Sequence, residues 1–568
     1  MRSPRVLIIG LDAATPELVS SWSNDGHLPN LARMIAEGAW GKLRSTLQPV
    51  TSAAWTTIMT GANQGKHGLY DFVQRLAGTY SVEVTDASHI KLPTILEIAS
   101  RFGKRVVSIN MPYTSPPPPV NGIIVGGPFA PAINKRSVYP ADFIPILREI
   151  VPDYFILPDY DPSTPDPMGA FATRLHEEIE QRERLCLRLM QSETWDLFTV
   201  VFMAADEAQH SFWHCQTARP GTKEWSHRNV IRDVYQRLDA AIGRLVAQAI
   251  TDEAFHTTVL VISDHGAGPL RWLVNLNRWL AQQGFLHYTS STLTRLAQVR
   301  ASGLRNLARA YRRIVPPRLR ALLRSQSDGR LFARMKGKLE STINNTAIDW
   351  SRTRAYALGS GGNLYLNLQG REPQGIIQVE AEYEETRTQI ADALKTLSDP
   401  EDGSPLVQRV YRREEIYTGP QLAMAPDLVI EWSDYANWGR GGPALLNTPV
   451  LENQRHFDLS DQPLSGSHRK DGIIVAYGPS IRKGTAIQNA GLVDVMPTAL
   501  SLLGLPLPDH LDGKTLGIFD AIDSPREIGE LVEEKGSIPA PFEEGPTEGY
   551  TPEETQELIR RLRDLGYY

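Results

Sequence analysis

Seven short apolar runs constrain this chain more than any other feature: Val6–Leu11, Val106–Asn110, Ile123–Gly126, Leu197–Met203, Thr257–Ser263, Leu428–Glu431 and Ile473–Tyr477. They do not alternate with polar residues, which is how strands covered on both faces read. Helical patterns stand among them, at Thr94–Phe102, Met168–Gln191, Trp225–Ala249 and Val379–Leu397. Strand and helix alternating in this way predict an α/β fold, a large central, mostly parallel sheet flanked by helices. Asp12, Asp206, Asp264 and His265 follow three of the runs closely. Open α/β sheets bind ligands beyond the carboxyl ends of their strands, so on a single sheet these residues share an edge.

Composition narrows the chemistry. Over 568 residues, 59 Lys and Arg stand against 65 Asp and Glu, a balance that gives no reason to expect specific nucleic-acid binding. Cys186 and Cys215 are the only two cysteines, which excludes a disulfide scaffold and a cysteine-based zinc knuckle. Any metal must therefore sit on histidines and carboxylates. No run approaches the ~18 apolar residues of a membrane helix, and the first strand follows a start without signal-peptide features, so the expected setting is cytoplasmic.

The segment 269–426 interrupts the α/β pattern and reads as an inserted smaller α+β domain, leaving 1–268 and 427–536 as the core. Within it, Thr292–Lys338 carries thirteen Arg or Lys and one acid, a basic helical hairpin that is either solvated or suited to peripheral contact with an anionic membrane. Farther on, RAYALGSGGNLYLNLQGR places a predicted hairpin around Gly359–Gly362. Residues 537–568 read as a linker and a C-terminal helix.

Five places carry chemistry. Asp12 ends the first strand. Thr51 reads as the N-cap of a helix that Gly61 stops; a hydroxyl at a helix start lies where free N–H groups favour a phosphate. It becomes a useful nucleophile only if its proton is removed, and a nearby cation achieves that. Asp206 and His210 are four apart, the spacing that puts two ligands on one helix face, with His214 a weaker third. Asp264 and His265 follow a buried strand, and His468 precedes another. Three carboxylates, three imidazoles and a hydroxyl fit two divalent ions about 4 Å apart, a clamp for displacement at phosphorus. Zinc suits the histidine content, with manganese the alternative.

This ordered set is identified as a member of the alkaline phosphatase superfamily, and it most resembles the type I phosphodiesterase/nucleotide pyrophosphatase branch. The likeness runs from Val6 to about Lys514 and includes LVDVMPTALSLLGLPLPDHLDGK. It implies an alkaline phosphatase-like fold and hydrolysis of a small phosphoric ester, a phosphodiester or pyrophosphate bond, through a phosphothreonine on Thr51. It further implies one metal on Asp206, His210 and His468 and another on Asp12, Asp264, His265 and the Thr51 oxygen. Ser52 and its helix N–H groups, with Asn63, Lys66 and His67 just beyond the helix, are candidates for holding the substrate's nonbridging oxygens. The same superfamily contains phosphomonoesterases and phosphomutases, which are the alternative activities. Outside enzymes, the alternative is a noncatalytic protein that keeps the fold and docks on membranes or partners.

Overall fold

The structure, a computed structural model, describes residues 3–161, 164–289, 348–441, 449–454 and 464–519, together with 554, 555, 558 and 559. The basic stretch 292–338 and most of the tail 537–568 lie outside the described residues. Of the tail, Glu554 pairs with Arg136 at 2.8 Å and Leu558 is buried in the core. No helix among the described residues is long and apolar enough to cross a membrane.

The central sheet has nine strands, in the order Thr485–Gly491, Ala39–Arg44, Asp471–Tyr477, Phe255–Ile262, Ser3–Leu11, Leu197–Phe202, Val106–Ile109, Gly122–Val125 and Val138–Tyr139. It is mixed: five pairings are parallel and three antiparallel. Ser3–Leu11 lies between Leu197–Phe202 and Phe255–Ile262, parallel to both, with Gly10 opposite Val201 on one side and Ile262 on the other.

Successive side chains on a strand point to opposite faces, and both faces here are covered. Val6 and Ile8 join one apolar cluster with Trp55, Ile98 and Leu500. Leu7, Ile9 and Leu11 join another with Leu175, Leu238 and Ile242. The covering helices are Thr51–Thr60, Ile95–Arg101 and Val495–Leu502 on the first side, and Pro167–Ser192 and Val230–Ile250 on the second. Water reaches neither side, which is why the run has no polar alternation. Gly10 permits the closest approach: a Cβ there would lie 2.4 Å from the indole of Trp55 and 2.9 Å from Val201.

Two smaller sheets build on the residues that follow. One orders Ala355–Ala357, Asn363–Leu366, Leu428–Trp432 and Val407–Arg412, all antiparallel; the other orders Ser360–Gly361, Asn437–Arg440, Trp272–Asn275 and Leu451–Asn453. They enclose their own apolar cluster around Trp279, Tyr356, Tyr365 and Trp432. The expected hairpin is present, Tyr356 pairing with Tyr365 on either side of the glycine turn.

One expectation needs correction. The run Leu428–Glu431 is not a central strand but pairs with Asn363–Leu366 and Val407–Arg412 in the smaller sheet, so strand pairing does not follow a division at 426/427. A buried apolar run looks the same in either sheet, because its composition reports burial and not its partner.

The smaller sheets are stitched to the core at Asp71. Its carboxylate accepts from Ser360 N at 2.7 Å, Ser360 Oγ at 3.1 Å, Asn363 Nδ2 at 3.1 Å and Phe72 N at 2.7 Å. Gly359 and Gly361 take positive φ values of 73° and 81°, the left-handed conformation this turn requires. Burial outweighs these donors and pushes the Asp71 carboxyl up to about 7. An acid raised in the folded state stabilises it while protonated, so this contribution is complete below about pH 4 and lost as pH rises through 7. Relative to Asp71→Asn, the wild type should therefore lose stability across that window. Urea melts of both proteins from pH 4 to 8 check this, and parallel curves would exclude it.

Candidate active site

Three adjacent parallel strands bring their acids to one edge. Ser3–Leu11 runs directly into Asp12. Leu197–Phe202 leads through Met203 into the helix Ala204–Phe212, which carries Asp206 and His210 one turn apart. Phe255–Ile262 ends just before Asp264 and His265. His468 arrives on the strand Gly466–Arg469, which runs antiparallel to Gly266–Pro269 and sets His468 opposite Ala267. All six side chains are buried.

They converge as two adjoining groups, Asp12 with Asp264 and His265, and Asp206 with His265 and His468; the ligand atoms of each group lie within 4.8 Å of one another. His265 Nε2 is 3.2 Å from Asp264 Oδ2 and 3.6 Å from Asp12 Oδ1. Asp206 Oδ1 is 3.3 Å from His210 Nε2 and 3.5 Å from His468 Nε2. His210 thus adjoins the second group, and the His265 and His468 rings stack with centroids 3.7 Å apart.

The histidine tautomers follow from their neighbours. His210 Nδ1 meets Gly466 O at 2.9 Å, His265 Nδ1 meets Gly266 O at 3.0 Å, and His468 Nδ1 meets Pro49 O. A carbonyl only accepts, so each Nδ1 carries a proton and the neutral ring turns its Nε2 lone pair inward. The Nε2 atoms of His210 and His468 then face each other at 2.9 Å. Among the described residues, Asp12 Oδ1, Asp206 Oδ1 and Asp264 Oδ2 are buried oxygens with no hydrogen-bond partner. Inward lone pairs and orphaned carboxylate oxygens are what a metal centre presents, and the outward bonds to carbonyls are the usual way of orienting its imidazoles.

Electrostatics lead to the same conclusion. Burial, and then the charges of Asp264 and Asp206, hold the Asp12 carboxyl well above the usual range, and burial and the charge of Asp206 do the same to Asp264. Burial also opposes ionisation of Asp206; positive charge on His210 and a proton donated by His468 hold its carboxyl well below that range, a role that divalent ions would take over with both rings neutral. Burial and the neighbouring His468 hold His265 well below the ordinary imidazole value. Three carboxylates this close are compatible as anions only with strong positive charge among them. The donor set therefore fits divalent cations.

Thr51 lies at this edge, its Oγ1 3.5 Å from His265 Nε2. It is the first residue of the helix Thr51–Thr60 and not the N-cap expected from the sequence. Val50, extended at φ −102° and ψ 127°, occupies the cap position without a side-chain bond. The first intrahelical bond runs from Ala54 N to Val50 O, so the amides before Ala54 have no helical acceptor. Ser52 Oγ beside them is buried without a hydrogen-bond partner.

Sequence reasoning did not single out Trp55, whose Nε1 donates to Asp12 Oδ2 at 2.8 Å. The signal was its place four residues after Thr51, on the same helix face. The other suggested substrate contacts are not brought to the cluster. Asn63, Lys66 and His67 follow the far end of the helix, about 15 Å along its axis from Thr51. Asn63 Nδ2 bonds Asp512 at 2.8 Å, Lys66 Nζ pairs with Asp512 at 2.6 Å, and His67 Nε2 meets Thr57 Oγ1 at 3.1 Å. Asn63 and Lys66 thereby secure the loop around Asp512. His214 lies past the helix that carries His210, its Nε2 against Cys215 Sγ at 3.5 Å.

The chain is similar to known proteins in sequence family and in fold. Residues 6–436 match the model of a family described as type I phosphodiesterase / nucleotide pyrophosphatase. No curated protein matches the chain by sequence. Among solved structures, phosphonoacetate hydrolase from Sinorhizobium meliloti 1021, crystallised with phosphonoformate, is similar with a TM-score of 0.52 and 13% identity, over 88% of this chain and 96% of that one. Human ectonucleotide pyrophosphatase / phosphodiesterase 5 aligns over 90% of this chain and all (100%) of its own, with 12% identity and a TM-score of 0.44. At such identities the first likeness is one of fold.

Proposed function

The chain belongs to the type I phosphodiesterase/nucleotide pyrophosphatase family and is a phosphoric ester hydrolase; from that premise we propose that it cleaves a phosphodiester or pyrophosphate bond through a phosphothreonine on Thr51. The observation that carries the proposal is a hydroxyl at a helix start, 3.5 Å from the imidazole shared by both ligand groups. In this reading Asp206, His210 and His468 hold one divalent ion, and Asp12, Asp264, His265 and the Thr51 oxygen hold the other. Two such ions supply Lewis-acid stabilisation for charge on the attacking, nonbridging and departing oxygens. Zinc is the expected metal for an imidazole-rich set, with manganese as the alternative.

The chain's own residues do the rest. Thr51 gives up its hydroxyl proton and forms an Oγ1–P bond as the bond from phosphorus to the leaving oxygen breaks. The departing group takes up a proton. Water then cleaves the phosphothreonine in a second displacement, releasing the phosphorylated product and restoring the hydroxyl. The free amides of the first turn and the Ser52 hydroxyl are placed to bond nonbridging oxygens, which carry more charge in the transition state. Trp55 holds Asp12 in its rotamer from the same helix. A cytoplasmic setting belongs to the same proposal, supported by two buried, unpaired cysteines.

Turnover of a bis-aryl diester, a nucleotide pyrophosphate and an aryl monoester, each with zinc and with manganese, tests the reading. Diester or pyrophosphate turnover should exceed that of the monoester; the reverse order would replace the proposal with the phosphomonoesterase alternative.

A further inference from the structure

Beside the candidate ligands runs a buried network of neutral groups. Gln209 stands on the helix Ala204–Phe212 between Asp206 and His210, and no part of it reaches solvent. Its Nε2 donates to Ala13 O at 2.9 Å and to Ala205 O at 3.0 Å. Its Oε1 accepts from Thr15 Oγ1 at 2.9 Å and from Tyr235 OH at 3.3 Å. The amide thereby uses both donors and both acceptor positions.

The remaining protons have consistent places. With the Thr15 hydroxyl proton on Gln209, its oxygen accepts from Ala267 N at 3.0 Å. With the Tyr235 proton also on Gln209, the phenol oxygen accepts from Thr15 N at 3.0 Å. Gln209 therefore joins the turn after the first strand, the helix of Asp206 and His210 and the helix Val230–Ile250, and Thr15 extends the network to the strand Gly266–Pro269 that follows His265. Ala13 shows what the network restrains. It sits at φ 59°, a left-handed conformation that alanine rarely adopts. Gln209 holds its carbonyl, while Asp264 Oδ1 accepts from its N–H at 3.3 Å.

We propose that Gln209, fixed by Thr15 and Tyr235, is a positioning residue that sets the separation of the two metal half-sites. It ties the Asp12 turn to the helix bearing Asp206 and His210. The inference rests on the two-metal reading above and extends it to groups that touch neither ion. A methionine at this position fills a similar volume without any of the four bonds.

The test is zinc binding by the full chain, read as stoichiometry and as competition with a chromophoric chelator, with circular dichroism as a check on folding. Gln209→Met should weaken zinc binding about 10- to 100-fold, the usual effect of losing an outer support of a metal site. Thr15→Val should weaken it in the same direction, and Thr15→Ser, which keeps the hydroxyl, should restore it. Should Gln209→Met fail to fold, the Thr15 pair decides alone. Wild-type affinity in a folded Gln209→Met, or equal affinities for the valine and serine variants, would overturn the brace and leave the two-metal reading intact. A wild type that binds no divalent ion would overturn both.

Discussion

Thr51→Ala is expected to lower turnover of an aryl phosphodiester by about 10⁴-fold or more while the protein remains folded. The substitution deletes the oxygen that forms the new bond to phosphorus and leaves the helix intact, because the Thr51 side chain does not cap it. Nothing nearby replaces that oxygen directly: Ser52 Oγ belongs to the next residue, about 100° around the helix. Thr51→Ser, which keeps a primary hydroxyl in place, should retain measurable turnover. Acid-quenched enzyme should carry phosphate on wild type and none on Thr51→Ala. Wild-type turnover by the alanine variant would exclude Thr51 as the nucleophile, whatever the metals do.

The second large effect is expected on removing metal. Exhaustive chelation should abolish turnover and lower the melting temperature, and zinc or manganese should restore both. At a free ion concentration of a thousand times Kd, each site stabilises the fold by about 4 kcal/mol, so two filled sites contribute about 8 kcal/mol. The physical source is visible in the cluster: Asp12, Asp206 and Asp264 are buried within reach of one another, and each leaves one oxygen without a hydrogen bond. Metal analysis should find about two ions per chain, the number the two ligand groups suggest. A fully active chelated protein, or one whose melting is indifferent to divalent ions, would remove the metal reading.

Much of this site was legible in the chain because its signals are local. Apolar runs report burial on both faces, and six of the seven are central strands. Asp12, Asp206, Asp264 and His265 were recognisable from their place after such runs, and the four-residue spacing of Asp206 and His210 matches their shared helix. Residue type did the rest, since with two cysteines only carboxylates and imidazoles remain for a divalent ion. The motifs from Asp12 to His265 lie within the span of the family match, residues 6–436, whereas His468 and the segment ending at Lys514 lie beyond it.

What depends on distance was not legible. Leu428–Glu431 has the composition of a central strand, yet pairs in a smaller sheet. Thr51 has the chemistry of an N-cap, yet the extended Val50 takes that place and releases the hydroxyl towards His265. Asn63, Lys66 and His67 are near Thr51 in sequence, but a ten-residue helix carries them away from the cluster. His210 and His468, separated by 258 positions, meet at 2.9 Å. The chain alone determined which segments would be buried and which residue types could hold cations, because periodicity and chemistry are properties of a few neighbouring residues. Only the tertiary structure decided which strand lies beside which and where each lone pair points, because those depend on register and packing among segments hundreds of residues apart.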